Sequence, residues 1–152
     1  MNVFLNTTFF LFIGFMGMEF FSWFFHKYVM HGVLWNIHKT HHTKTKGIFE
    51  LNDIFSLIFG ATAVVLIFLG VSDLDYRFWL GCGITLYGFA YFILHDVIIH
   101  RRFKILKRPS LSYLDAITKA HRDHHKTRER DGSVSFGLLL VPFRYFKEKQ
   151  RS

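Results

Sequence analysis

The chain has 152 residues, 51% of them apolar and 19% aromatic, with a mean hydropathy of +0.22 and a formal net charge of +8. A water-soluble domain of this size has no place for so much apolar side chain, so one membrane-embedded domain covering residues 1–152 is expected. The single cysteine, Cys82, excludes an intrachain disulfide and a cysteine-held iron–sulfur cluster, and the absence of a nucleic-acid motif makes anionic lipid headgroups, not nucleic acid, the expected partner of the basic excess.

Residues 1–26 carry one charge, Glu19, and form the first expected span. They lack the basic start and small-residue cleavage site of a signal peptide, so the segment is expected to be retained. HKYVMHGVLWNIHKTHH, residues 26–42, then packs five histidines into seventeen positions. Residues 54–72 and 78–95 contain no Asp, Glu, Lys or Arg, and each approaches the roughly 20 residues that cross a bilayer. Asn52 or Asp53 is placed to cap the second span. Of nineteen Lys and Arg, only Arg77 lies in the Asp73–Arg77 link; the other eighteen lie in 27–50 or 101–152. The positive-inside rule then puts that link outside and both histidine-rich regions in the cytoplasm. The fold class expected is all-α, an integral membrane helical protein with three membrane segments, four being the alternative count.

Beyond the third span, Pro109 and Ser112-x-x-Asp115 mark a helix start with Ser112 as cap. At about 100° per residue, Leu114, Ile117, His121, His124 and His125 share an arc of about 100°, while Asp115, Lys119, Arg122 and Lys126 occupy another face. VSFGLLLVPF, 134–143, is too short to cross and is interrupted by Pro142, so it is expected in the interface or against the histidine-rich region. RYFKEKQRS reads as a solvated or headgroup-binding tail.

The histidines repeat. His26-x4-His31 and His38-x2-His41-His42 in the first half answer His95-x4-His100 and His121-x2-His124-His125 in the second, and these are all ten. A lone histidine on an apolar face is usually a satisfied core residue; two matching sets of five point to metal. The HxxHH clusters put three imidazoles on one helical face by their i, i+3, i+4 spacing. The i, i+5 pairs differ, because that separation rotates two side chains by about 140° on an α-helix. Either the backbone turns near the second histidine, as Gly32 after His31 permits, or the members of a pair serve different metals. Ten imidazoles exceed the four ligands of one tetrahedral zinc, so two metals with four or five imidazoles each fit better. Ligand type alone leaves zinc, iron and copper open.

Metal-bound histidines usually give their other N–H to an acceptor, which makes nearby carboxylates supporting candidates: Asp96 beside His95, and Glu50 with Asp53 after the first set. Glu19, seven residues before His26 on the same helical face, serves either the site or a bond to another helix. Asp123 points away from the histidine face. Phe20, Phe21, Trp23 and Phe24 either line an apolar groove or face lipid.

From Met18 to about Pro142 the chain resembles the beta-carotene hydroxylases, within the superfamily of membrane fatty-acid and sterol hydroxylases. The resemblance rests on HKYVMHGVLW and IHKTHH, on KGIFELNDIF, ILHDVIIHRR, AHRDHH and VSFGLLLVP. The histidine boxes alone indicate the superfamily; HKYVMHG, FELND and VSFG narrow it. The resemblance implies two non-haem irons held by His26, His31, His38, His41, His42, His95, His100, His121, His124 and His125. It implies use of O2 to hydroxylate C3 of each beta-ionone ring, taking beta-carotene through beta-cryptoxanthin to zeaxanthin. It also implies a ferredoxin with its NAD(P)H-dependent reductase as electron donor, a lipid-soluble carotenoid as substrate and a place in the bacterial cytoplasmic membrane with the metals on the cytoplasmic side. A fatty-acid or sterol hydroxylase or desaturase remains the enzymatic alternative, and a non-enzymatic membrane metal-binding protein the other.

The charge asymmetry predicts that a reporter inserted at Asp75 reads external and one fused after Ser152 reads cytoplasmic. A cytoplasmic signal at Asp75 would break the three-span arrangement.

Overall fold

Among the described residues, three helices are long and apolar enough to cross a membrane: Phe4–Val33, Asp53–Gly70 and Tyr76–Ile99. The computed structural model describes residues 3–43, 47–106 and 110–147. Helix α1 (Val3–Phe24) continues without a break into a π-helical turn, Phe25–Val33, and the short α2 (Trp35–His42) follows. Helix α3 is Asp53–Gly70, and α4 (Tyr76–Tyr91) again passes into a π-helical segment, Phe92–Ile99. Helix α5 (Ser112–His124) and the single turn α6 (Arg144–Lys147) complete the all-helical architecture. At 1.5 Å per residue the 30, 18 and 24 residues of the three long elements reach about 45, 27 and 36 Å, against a hydrocarbon core of about 30 Å.

The first and third spans are longer than their apolar runs because they carry histidines past the apolar boundary on unbroken helix. Rigid helix thus delivers both HxxxxH pairs to the same end of the bundle.

Small residues set the packing of the spans. Gly14 of α1 lies against the Leu80 carbonyl and the backbone of Gly83 on α4, and a side chain on Gly83 would strike the Leu11 carbonyl and Gly14. Helix α3 meets the opposite side of α4, where a Cβ on Gly81 would come within 2.9 Å of the Ala63 carbonyl. Lipid offers no hydrophobic drive between helices, so such close backbone approach supplies the dispersion energy that holds them together. Phe25 closes the end near the histidines by packing edge-on against Phe55 and Phe59 of α3. The outward faces carry exposed Phe4, Phe9, Phe12, Leu57 and Phe68, as a lipid-facing surface requires.

Helix α5 docks beneath the spans through the stripe anticipated from its periodicity. Leu114 and Ile117 bury against Ile98, while Ala116 and Ala120 bury against Tyr145. Three expectations need correction. The α5 capping position is Leu111, in extended conformation, and Ser112 is already helical; Pro109 falls outside the described residues. Neither Asn52 nor Asp53 caps α3 with its side chain. Backbone bonds of the i→i+3 type from Asp53, Ile54 and Phe55 tighten that end instead, and the two side chains turn to the histidines' surroundings. Finally, the RYFKEKQRS end is not solvated throughout: Tyr145 is 3% exposed in the core, while Arg144, Phe146 and Lys147 are exposed and residues 148–152 fall outside the described residues.

Substituting Gly83 by Val should force α4 away from α1 and lower the unfolding temperature in detergent, an overpacking cost of about 1–3 kcal/mol. Gly60→Ala, where an added Cβ meets nothing within 4 Å, is the matched control and should be neutral or mildly stabilising. Equal stability of the Gly83→Val protein and its parent would remove this crossing from the account of the fold.

Candidate metal centre

The HxxxxH pairs are reconciled by winding. In the π-helical segments the backbone bonds run i→i+5, as in His100 N–H to His95 O (2.8 Å) and Leu34 N–H to Val29 O (2.9 Å), and residues five apart come into line. The rings of His26 and His31 are 5.3 Å apart, and those of His95 and His100 4.5 Å. Gly32, at φ −101° and ψ −115°, ends the winding directly after His31 and lets α2 fold back toward the pair. Members of a pair therefore share a set rather than being divided between two.

Two sets result. The ligand-capable nitrogens of His26, His31, His38, His42 and His124 all lie within 4.8 Å of one another, and so do those of His41, His100, His121 and His125. His95 joins the second set through its Nε2, 3.0 Å from Nε2 of His41. Each set mixes both halves of the chain: α2 contributes to both, and α5 sends His124 to the first and His121 and His125 to the second. Seven of the ten histidines are buried.

The outward ring nitrogens are tied down. In the first set Nδ1–H donates to the carbonyl of Phe136 from His26 (2.9 Å), of Arg130 from His31 (3.0 Å), of Thr127 from His42 (3.1 Å) and of Val134 from His124 (3.1 Å). His38 donates to Asn52 Oδ1 at 2.7 Å. In the second set His41 donates to Glu50 Oε2 at 2.9 Å and His95 to Asp96 Oδ1 at 3.4 Å. With these protons committed outward, the inward Nε2 atoms carry only lone pairs. Yet they face each other closely: His26 to His38 at 3.0 Å, His38 to His42 at 3.2 Å, His31 to His124 at 3.3 Å and His41 to His95 at 3.0 Å. Two bare acceptors at such distances repel unless a cation lies between them. A separation of about 3 Å is also what two nitrogens bound to one metal at about 2.1 Å adopt at an angle near 90°. The buried His125 Nε2 has no hydrogen-bond partner, a further donor atom awaiting an acceptor. The residues fit a pair of metal ions.

Burial reinforces this. It lowers the proton affinity of His38 and His125 to about 2, of His100 to about 3 and of His42 to about 4, and it pushes His41, His121 and His124 in the same direction, with neighbouring imidazoles adding to the effect. The lowered proton affinity of these seven rings favours the neutral form, which ligates metal.

The anticipated carboxylates separate into different roles. Glu50 accepts from His41 and Asp96 from His95. Asp53 touches no histidine; it pairs with Arg102, which also pairs with Asp96 at 2.8 Å. Glu19, 1% exposed, binds another helix and a loop: Oε2 accepts from Tyr87 Oη, and Oε1 accepts from the backbone N–H groups of Leu139 and Leu140, all at 2.9 Å. That loop, 134–140, is the one whose Val134 and Phe136 carbonyls receive His124 and His26. Glu19 thus anchors the lid of the first set from within the bilayer. Asp123 pairs with Lys126 away from the histidines. Sequence reasoning missed Asn52 and Arg102 as partners; the first was read as a helix cap, and an arginine in a basic segment gives no sign of a buried pairing.

One cavity, of about 440 Å³, opens on the second set and exposes His41, His100, His121 and His125 between Glu50 and Arg122. The other, of about 250 Å³, lies between Glu19, Phe20, Trp23, Gly137 and Leu140. Phe20 and Trp23 therefore border a groove, whereas Phe21 packs on Phe25 and Phe59 and Phe24 on Tyr28.

Comparison with known proteins gives the context of this arrangement. No solved structure matches the chain. It is 43% identical over 125 residues to the Beta-carotene hydroxylase of Pseudescherichia vulneris, covering 82% of this chain and 71% of that protein. Identity to the Beta-carotene hydroxylase of Pantoea ananas is 41% over 132 residues, 87% of this chain and 75% of the relative. The chloroplastic Beta-carotene 3-hydroxylase 2 of Arabidopsis thaliana is 36% identical over 130 residues, 83% of this chain and 42% of the plant protein. The Fatty acid hydroxylase family model matches residues 11–144, which include every histidine, the second and third spans and most of the first; the chain belongs to the fatty acid hydroxylase family.

Proposed function

We propose that the chain is a beta-carotene 3-hydroxylase, an O2-dependent monooxygenase that hydroxylates the beta-ionone rings to beta-cryptoxanthin and zeaxanthin. The observation that carries this reading is the convergence of ten histidines into two adjoining sets under apolar spans, in a chain more than 40% identical to two bacterial enzymes named beta-carotene hydroxylases. All ten histidines serve as ligands of two non-haem irons, which when bound supply the activation of O2. The protein's part is positional. Outward hydrogen bonds hold each tied ring at its angle, burial keeps the rings unprotonated, and the 134–140 loop, anchored by Glu19, shields the first set from water. The apolar groove beside Phe20 and Trp23 suits the ring end of a polyene dissolved in the bilayer.

Electrons must come from elsewhere. The chain has no GxGxxG fingerprint and one cysteine, so it holds neither a dinucleotide nor an iron–sulfur cluster by familiar means. We assign the donor role to a ferredoxin and its reductase. Exposed Arg101, Lys104, Arg122 and Arg128 suit an acidic carrier, and the charge distribution supports a site on the cytoplasmic side.

Expression in carotene-producing cells should yield zeaxanthin. His124→Ala should abolish it with membrane insertion intact, while Lys119→Ala, on another face of α5, should be mild. Purified protein in lipid should stay inactive with NADPH, O2 and beta-carotene until the carrier and reductase are added. A hydroxylated fatty acid or sterol as the only product would move the chain to another activity of its family.

Acid should weaken the metal-free fold. Because folding lowers the histidine proton affinities, below about pH 6.5 the unfolded chain binds protons that the folded chain does not. The stabilising contribution is complete above that pH and is lost as pH falls toward the folded values of about 4 for His42 and 3 for His100. The unfolding temperature of metal-stripped protein should drop between pH 7.5 and 5, at up to about 1.4 kcal/mol per pH unit for each histidine kept neutral. A flat or rising profile would contradict the neutral, buried sets.

A further inference from the structure

The two histidine sets differ in what stands behind them. All five rings of the first set give their Nδ1–H to uncharged oxygens: the carbonyls of Phe136, Arg130, Thr127 and Val134, and the amide of Asn52. In the second, His41 leans on the Glu50 carboxylate and His95 on Asp96, with the His41 and His95 side chains each 3% exposed. A carboxylate draws the N–H proton more strongly than a carbonyl does. The ring gains imidazolate character and donates more strongly from Nε2. Poor solvation keeps the negative charge effective over the few ångströms to the metal.

Arg102 lies behind Asp96 and offsets part of its charge, but Asp53 shares its Nη1 and takes its Nη2, so these two carboxylates outnumber that one cation, while Arg122 lines the cavity beside the set. At the first set Arg130 Nε donates to the His31 backbone carbonyl at 3.0 Å, and the Asp131 carboxylate acts on the His31 ring through space. Among the described residues no carboxylate accepts a hydrogen bond from a ring of that set, and this difference in direct partners is what separates the two sets.

We infer that Glu50 and Asp96 make the set of His41, His95, His100, His121 and His125 the tighter metal site, which fills before the set of His26, His31, His38, His42 and His124. The two positions are unequal by design of their hydrogen-bond partners, although their ligand counts match. Glu50 and Asp96 are positioning residues that act through His41 and His95. This rests on the assignment of the ten histidines as ligands.

The test is anaerobic titration of the metal-stripped full-length protein in lipid nanodiscs with Co²⁺, followed by its visible ligand-field bands, and with Fe²⁺ in competition with a chelator. Two steps of one metal each are expected, at least about tenfold apart. Glu50→Gln should weaken the first step by about 10–100-fold and leave the second in place. Asn52→Asp, which puts a carboxylate behind His38, should tighten the second step and narrow the gap, an outcome that misfolding cannot imitate. A single affinity for both metals in the parent protein, or equal weakening of both steps by Glu50→Gln, would overturn the inference while leaving the metal assignment standing. Failure to take up metal at all would overturn both.

Discussion

Lone-pair repulsion among buried imidazoles is the constraint on which the rest of this structure depends. Seven histidines commit their Nδ1–H outward, so seven bare Nε2 atoms point inward, several at 3.0–3.3 Å from one another. Such a centre opposes folding until a cation enters, and the surrounding protein has to hold it together meanwhile. Much of what looks like ordinary packing serves this end. The glycine contacts of α4 with α1 and α3 fix the spans, and the spans in turn fix His26, His31 and His95. Helix α5, locked by Leu114 and Ile117 against Ile98, brings His121, His124 and His125 from below, and α2 adds His38, His41 and His42.

The same constraint explains where polar groups are placed. Every tied histidine needs an acceptor in a region with little water, and the chain finds most of them in irregular backbone after α5, where carbonyls are not used by a helix. Loop 134–140 has to stay at the bilayer boundary for that purpose. Its own N–H groups would be costly there, and Glu19 satisfies two of them from inside the first span while Tyr87 holds Glu19 in place. A carboxylate that hydropathy marks as out of place is thus the link between the membrane helices and the first histidine set. Asn52 shows the same priority: a residue well suited to cap α3 gives its amide oxygen to His38, and the helix end makes do with backbone bonds.

Much of this was legible in one dimension. Three apolar runs and four histidine clusters of matching spacing point to three spans and a shared candidate metal region, because bilayer thickness and helical periodicity act locally along the chain. The apolar stripe Leu114, Ile117, His121, His124 and His125 predicts the face of α5 for the same reason. Glu50 and Asp96 were found by their nearness in sequence to the histidines they hold.

Other features depend on contacts between distant segments. The i, i+5 pairs left two arrangements open, and the π-winding that brings His26 near His31 follows from the demand of a common centre, since α-helical spacing would rotate them apart. The division of α2 between the sets, His38 and His42 to one and His41 to the other, requires knowing where α5 and α4 stand. The acceptors Phe136, Arg130, Thr127 and Val134 are backbone carbonyls, which every residue has, so no residue type could reveal them. Composition and spacing determined that this chain gathers ten imidazoles at a membrane face; tertiary structure alone decided which imidazoles meet and which charges lie behind them, because hydrogen-bond partners dozens of residues apart are selected by geometry and leave no periodic mark.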